Sequence, residues 1–220
     1  MDIYFENNNY PENFKATIDR YELNEKYFKN KLNGVFIELG AIDGIYISNS
    51  KYFEDNFNWT GILIEPNLHD FNKLQKNRPN CILFNNIVSN SKDELDYIYL
   101  DSSQSSAVSG IKQYMPESLW KKYYENQSYY TTKIIPKSLS EIIKSTNFKY
   151  IDLLSLDVEG GELEVLESWD FSIPIKIILI EMTFDNIIKN DKCRIILQNN
   201  NYKLDFIYGR DELYILDENI

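Results

Sequence analysis

Five apolar runs limit what this chain can fold into: VFIEL, GILIE, CILFNNIV, IDLLSLDV and KIILIEM. They lack the strict polar–apolar alternation of a half-exposed strand, so each reads as a strand covered on both faces, as in a parallel sheet. Helical segments fall between them. SNSKYFEDNF, opened by Ser48 as N-cap, follows the first run, and HDFNKLQKN, closed by Arg78 and Pro79, follows the second. SLSEIIKST precedes the fourth run, GELEVLES follows it, and NIIKNDKCRIILQNN follows the fifth. This alternation predicts an α/β fold, a mostly parallel sheet with helices on both faces. The terminal YKLDFIYGRDELYIL adds two alternating strands that turn at Gly209 and Arg210, an antiparallel hairpin that brings the sheet to seven strands.

At 220 residues there is room for one such domain, expected over 34–220. Residues 1–33 read as an N-terminal extension that becomes helical, with Ile18, Tyr21, Tyr27, Phe28 and Leu32 near helical spacing. The middle breaks the pattern. ELDYIYL alternates like a half-exposed strand, DSSQSSAVSG is a polar loop, and aromatics crowd the stretch up to Tyr130. An aromatic-rich lid insertion around 102–130 is expected where the chain crosses a pocket mouth.

The formal net charge is −11, and the densest basic pair, Lys121 and Lys122, is flanked by Glu117 and Glu125. Such a surface repels a nucleic-acid backbone, so the expected partner is a small-molecule or glycan substrate. Cys81 and Cys193 are too few for a disulfide framework and read as reduced thiols of a cytoplasmic protein. The opening MDIYFENNNYPENF lacks the basic and apolar regions of a secretory signal. No run approaches the roughly 20 apolar residues of a membrane span, so no membrane partner is expected.

In open parallel sheets ligands bind beyond the carboxyl ends of the strands. Here those ends are acidic: Glu38 on the first strand, Glu65 on the second, Asp157 and Glu159 after the fourth, Glu181 on the fifth. Singly, each also reads as a turn acid or a helix-start acid; four on one rim exceed what solubility requires. Gly40, after the first strand, allows close backbone approach. Glu65, 25 residues further on, is placed to grip both ribose hydroxyls. The first turn is not G-x-G-x-x-G, and its acids Glu38 and Asp43 are wrong for a pyrophosphate, which wants bare N–H groups. They suit a cofactor with an ammonium and a sulfonium. S-adenosylmethionine meets that description, whereas NAD does not.

Three stretches, FIELGAIDGIYISNS, GILIEPNLHDFNKLQKNRPNC and IDLLSLDVEGGELEVLES, together resemble the FkbM-type family of S-adenosylmethionine-dependent methyltransferases. The resemblance runs from about Val35 to Glu181. It implies the Rossmann-like class I methyltransferase fold and transfer to an oxygen of a sugar or sugar-containing metabolite. By matched positions it implies that Glu38, Gly40, Asp43 and Ser48 hold the methionine part, with Ala41 and Gly44 in the same turn. Glu65, followed by Pro66, would hold the ribose, and Asn86 would face the adenine. The family's usual D-V-E-G-A-E is D-V-E-G-G-E here, with Gly161 in place of alanine.

Methylating a neutral hydroxyl needs a base, or a metal that lowers the hydroxyl pKa. Asp157 is the candidate for either role, also bordering the cofactor, with Glu159 and Glu181 as neighbours. Asp157 and Glu181 would select Mg²⁺ or Mn²⁺ as oxygen ligands. His69, the one histidine, falls in the helix after the second strand and reads as a surface residue. On the lid, Ser103, Gln104 and Ser105 are candidates to bond sugar hydroxyls, and Tyr114 and Trp120 to stack on sugar faces. Two rivals share the fold: an RNA ribose 2′-O-methyltransferase, opposed by the charge, and a non-catalytic partner subunit, opposed by the presence of Glu65 and Asp157.

Overall fold

The computed structural model describes residues 19–100, 106–183 and 185–217. The chain opens with a short helix α1 (Arg20–Leu23), which widens into a π-helical turn over Asn24–Phe28. Asp19 caps it by accepting the Tyr21 N–H at 2.7 Å. There follow β1 (Val35–Leu39), α2 (Lys51–Phe57), β2 (Thr60–Ile64), α3 (Leu68–Asn77) and β3 (Ile82–Phe84). Next come β4 (Leu95–Tyr99), β5 (Gly110–Ile111), α4 (Glu117–Tyr123) and β6 (Tyr130–Ile134). The rest is α5 (Leu139–Lys144), β7 (Ile151–Leu156), α6 (Glu162–Glu167), β8 (Ile175–Glu181), α7 (Ile187–Asn199), β9 (Tyr202–Tyr208) and β10 (Asp211–Leu216).

The main sheet has the order β3-β2-β1-β7-β8-β10-β9, parallel through β8 and closed by the antiparallel β9–β10 hairpin. The seven-stranded fold expected from the sequence is the one observed. The central strands β1, β2 and β7 are buried on both faces because their side chains alternate between two cores, whereas the edge strand β3 is partly exposed and the edge strand β9 largely exposed. Phe36, Leu63, Leu153 and Leu179 pack on one face with Phe53, Trp59 and Leu74 from the α2–α3 side. Val35, Ile37, Ile62, Ile64, Leu154 and Ile178 pack on the other with Leu139, Ile142, Val165 and Leu197 from α5, α6 and α7. Leu23 and Phe28 join the first core, where the Phe28 ring stands edge-on to Phe53 at 5.2 Å and to Trp59 at 4.8 Å, while Ile18 lies outside the described residues.

The alternating segment ELDYIYL is a strand, β4, but it leaves the main sheet. It pairs antiparallel with β5 and β6 in a separate three-stranded sheet with small cores of its own. This sheet and α4 form a cap seated on the turn after β7. Gly160 makes the seat possible. It has φ +107°, and a Cβ there would come within 2.5 Å of Pro116 Cδ and 2.7 Å of the Tyr114 carbonyl oxygen. Among the described residues, no helix is long and apolar enough to cross a membrane.

Candidate functional site

The switch in strand order lies between β1 and β7, and a cavity of about 590 Å³ opens there, at the carboxyl ends of β1, β2, β7 and β8 under the cap. That volume suits a small molecule of cofactor size, with space over for part of a second ligand. Of the residues expected to form the site, Gly40, Glu65, Pro66, Asn86, Asp157, Glu159 and Glu181 line it.

Glu65 is buried, its Oε2 accepting the Ile42 N–H at 2.9 Å and its Oε1 the Asn67 N–H at 2.6 Å. Each carboxylate oxygen carries further lone pairs, so both keep capacity for a donor on a ligand. Burial pushes its pKa up to about 8 against the pull of those two N–H groups. Beyond β2, Asn85 Nδ2 bonds the Glu65 and Pro66 carbonyls at 2.8 and 2.9 Å and fixes the turn on which Asn86 stands.

At the far side, Asp157, Glu159 and Glu181 bring one carboxylate oxygen each within 4.8 Å of one another. Burial, then the charges of Asp157 and Glu159, hold the Glu181 carboxyl well above the usual range, with the ion-paired Arg210 opposing them. Asp211 joins this rim, because β10 runs antiparallel and starts at the carboxyl edge, in register with Glu181. Burial and the charge of Asp157 raise its pKa to about 7.

Other expected residues lie outside the lining. Glu38 is turned into its own loop: Oε1 accepts the Asn49 N–H at 2.7 Å, and Oε2 accepts Ser48 Oγ at 2.8 Å, the Ser50 N–H at 3.3 Å and Ser50 Oγ. Ser48 is thereby engaged with Glu38, and it also accepts the Lys51 N–H at 3.1 Å, although α2 begins only at Lys51 with Ser50 as N-cap. Asp43 Oδ1 accepts the Ile45 and Tyr46 N–H groups at 2.9 and 2.8 Å, stabilising its own turn. Ala41 packs in the α2–α3 core, and Gly44 sits against Leu74 and Arg78. The fixed approach at Gly40 (φ +76°) is to the chain itself, since a Cβ would lie 2.2 Å from the Asp157 carbonyl oxygen. Gly40 therefore lets the first turn and the β7 end close on each other.

On the cap, Trp120 stacks on Tyr124 at 5.8 Å and meets Tyr129 edge-on, while the Tyr114 hydroxyl bonds Ser89 Oγ at 3.0 Å. Neither Trp120 nor Tyr114 lines the cavity, and Ser103, Gln104 and Ser105 lie outside the described residues. His69 is exposed in the first turn of α3, away from the lining.

Several residues that matter here carry little signal in the sequence. Arg78, legible there only as a helix end, is completely buried and binds the Gly44 carbonyl at 2.9 Å, Ser50 Oγ at 3.0 Å and the Glu54 carboxylate. Through Ser50 it braces Glu38, which in turn holds Asn49 over Ser155 Oγ at 2.9 Å and into the lining. Arg20 reaches from α1 to the Ile47 carbonyl at 3.0 Å and borders the same cavity.

Four buried polar atoms on this lining have no hydrogen-bond partner among the described residues: Asn86 Oδ1, Ser109 Oγ, Tyr123 Oη and Asp157 Oδ1. Such atoms are costly unless a ligand completes them. The cavity therefore fits a polar, multi-headed guest better than an apolar one.

A parallel sheet with this strand order, an antiparallel final hairpin and an acidic cavity at the strand ends defines a Rossmann-like class I methyltransferase fold. The chain belongs to the methyltransferase FkbM domain family, whose sequence model matches residues 38–204. No curated protein matches the sequence closely enough to count as a relative. Among solved structures, M. capricolum TrmK in complex with S-adenosyl-homocysteine is similar at 14% identity and TM-score 0.43, covering 89% of this chain and 66% of that one. Precorrin-6y C5,15-methyltransferase from Geobacter metallireducens is similar at 12% identity and TM-score 0.44, covering 91% and 88%. Aeropyrum pernix fibrillarin with bound S-adenosyl-L-methionine follows at 11% and 0.42, covering 84% and 66%. The chain thus spans about two thirds of the length of two of these proteins. The strand order and the family match, not these likenesses, carry the fold.

Proposed function

We propose that the chain is an S-adenosylmethionine-dependent O-methyltransferase whose acceptor is a hydroxyl of a sugar or glycan. The observation that carries this reading is the pair Glu65 and Asp157 on one cavity. They stand at the ends of β2 and β7, which flank β1, so two strand spacings, about 10 Å, separate them. Glu65 offers two carboxylate oxygens to a ribose diol, and Asn86 Oδ1 offers an acceptor to an amino group of the base. When bound, S-adenosylmethionine supplies a methyl group activated by a positive sulfonium. The acidic rim of Asp157, Glu181 and Asp211 favours a cation in that position, taking over the role expected of Glu38 and Asp43.

Asp157 is the base. Its Oδ1 is buried, unpartnered among the described residues and on the lining, so Asp157 would take the proton of an acceptor hydroxyl docked there, while the cofactor, when bound, would supply the methyl carbon and keep the electron pair of the broken carbon–sulfur bond as a neutral thioether. The neighbouring carboxyl of Glu181, its pKa raised by burial and by the charges of Asp157 and Glu159, holds its proton more tightly than a free carboxyl does. Holding the oxygen, the methyl carbon and the sulfur in line is the larger part of the catalysis. A second version places Mg²⁺ or Mn²⁺ on Asp157 and Glu181; the close approach of three carboxylate oxygens favours it.

The test is transfer of labelled methyl to nucleoside-diphosphate sugars, methyl glycosides and RNA, with and without chelator. Transfer to a sugar hydroxyl that survives chelation is expected. Transfer only to RNA contradicts the acceptor class, and loss on chelation moves Asp157 from base to metal ligand.

A further inference from the structure

Two adjacent tyrosines on the cap are treated differently by the fold. The Tyr124 hydroxyl is buried and donates to the Val108 carbonyl at 2.9 Å, and its ring packs in the cap's own core beside Trp120 and Tyr129. The Tyr123 hydroxyl is also buried, yet it has no partner among the described residues, and its residue lines the cavity. A phenol oxygen taken from water with nothing to bond costs stability that a phenylalanine would not forfeit. Packing alone does not explain the hydroxyl.

The helix geometry sets what it faces. Ser118, Leu119, Lys122 and Tyr123 recur at i, i+1, i+4 and i+5, one face of α4, and all four line the cavity; the Tyr123 ring, at the edge of that face, also packs against the cap core with Trp120 and Tyr124. Asp185 fixes that orientation by accepting the Ser118 N–H at 2.9 Å, which ties the start of α4 to the loop after β8. Lys122 Nζ lies over the Tyr123 ring, 4.8 Å from its centroid. The acids after β7 and on β8 line the same cavity, where Asp157 Oδ1 is likewise unpartnered among the described residues.

We infer that Tyr123 is an acceptor-binding residue: its hydroxyl bonds a second hydroxyl of a polyhydroxylated acceptor and so sets which oxygen is presented to Asp157. The inference rests on the methyltransferase reading and deepens it. A phenol both donates and accepts, which suits a neutral hydroxyl. The apolar Leu119 and Ile111 on the same lining suit the C–H face of a sugar ring. Ser109 Oγ, also buried and without a partner among the described residues, lines the same cavity and adds a second hydroxyl to it.

Two measurements test this. The first needs no acceptor: thermal unfolding of Tyr123→Phe and Tyr124→Phe. Tyr124→Phe loses an internal bond and is expected to lower the Tm by about 2–4 °C, whereas Tyr123→Phe leaves it unchanged or raises it. An equal fall in both variants means that the Tyr123 hydroxyl has an internal role, and overturns the inference. The second is labelled-methyl transfer from S-adenosylmethionine to a panel of nucleoside-diphosphate sugars and methyl glycosides. Tyr123→Phe is expected to lower kcat/KM for the best acceptor about 10-fold, chiefly through KM, with S-adenosylmethionine affinity unchanged. Unchanged kcat/KM in a wild-type-active assay overturns the role of Tyr123 alone. No transfer by the wild type to any hydroxylated acceptor overturns the methyltransferase reading, and this inference with it.

Discussion

At the end of β1 the Glu38 carboxylate takes four hydrogen bonds from residues 48–50, whereas on neighbouring β7 Asp157 Oδ1 takes none from the described residues. Both acids end an apolar parallel strand on the same rim. The two strands lead into different turns. After β1 the chain returns through a serine-rich loop, and Arg78, some 40 residues from Glu38 in sequence, closes a buried network beneath it. After β7 the turn at Gly160 is given over to the cap, and Asp157 Oδ1 gains no bond from it. One acid is consumed in bracing its own loop; the other keeps one oxygen on the cavity without a bond from the described residues.

The contrast is broken or sharpened first at Asp157. Asp157→Asn is expected to cut methyl transfer by about 10²–10⁴-fold while cofactor affinity holds. Retained turnover in a transfer assay would place Asp157 with Glu38 as a structural acid. On the loop side, Arg78→Met leaves Glu54 and the Glu38 network without their cation and should cost about 3–5 kcal/mol in denaturant unfolding. A cost below about 1 kcal/mol would mean that the network is not a support.

The smallest effect is in pH. Glu65 (raised to about 8), Asp211 and Glu162 (each to about 7) and Glu181 bind protons more tightly folded than unfolded. Stability from these groups is present below about pH 4 and is lost as pH rises through about 7–8. The exposed Asp170 and Asp205, whose pKa values are lowered by Lys144 and Lys26, act in the opposite sense, and only below about pH 4. The Tm of the ligand-free protein should therefore fall from about pH 5 to about pH 8. S-adenosylmethionine should offset that fall more than S-adenosylhomocysteine, which lacks the sulfonium charge. A Tm that rises over this range would contradict the acidic rim.

How far the sequence shows this depends on the reach of each interaction. Strand–helix alternation and the acids after four of the five apolar runs are local, and they carry the parallel sheet with its final hairpin and the presence of Glu65, Asp157 and Glu181 at strand ends. Whether an acid faces outward is not local. Glu38 and Asp43 suit a cationic ligand until Ser48, Ser50 and the Ile45 and Tyr46 N–H groups claim them. Asp211 reaches the rim only because a hairpin inserts β10 beside β8. On the cap, Tyr123 and Trp120 pack against one core, and only the docked α4 shows that Tyr123 also lines the cavity while Trp120 does not.

If the acidic cavity is the site of a cationic nucleoside, titration calorimetry of the purified chain with S-adenosylmethionine, S-adenosylhomocysteine and NAD⁺ will show it. Saturable binding of the first two, one per chain, and none of NAD⁺ is expected. Binding of NAD⁺, or of none of the three, would contradict it.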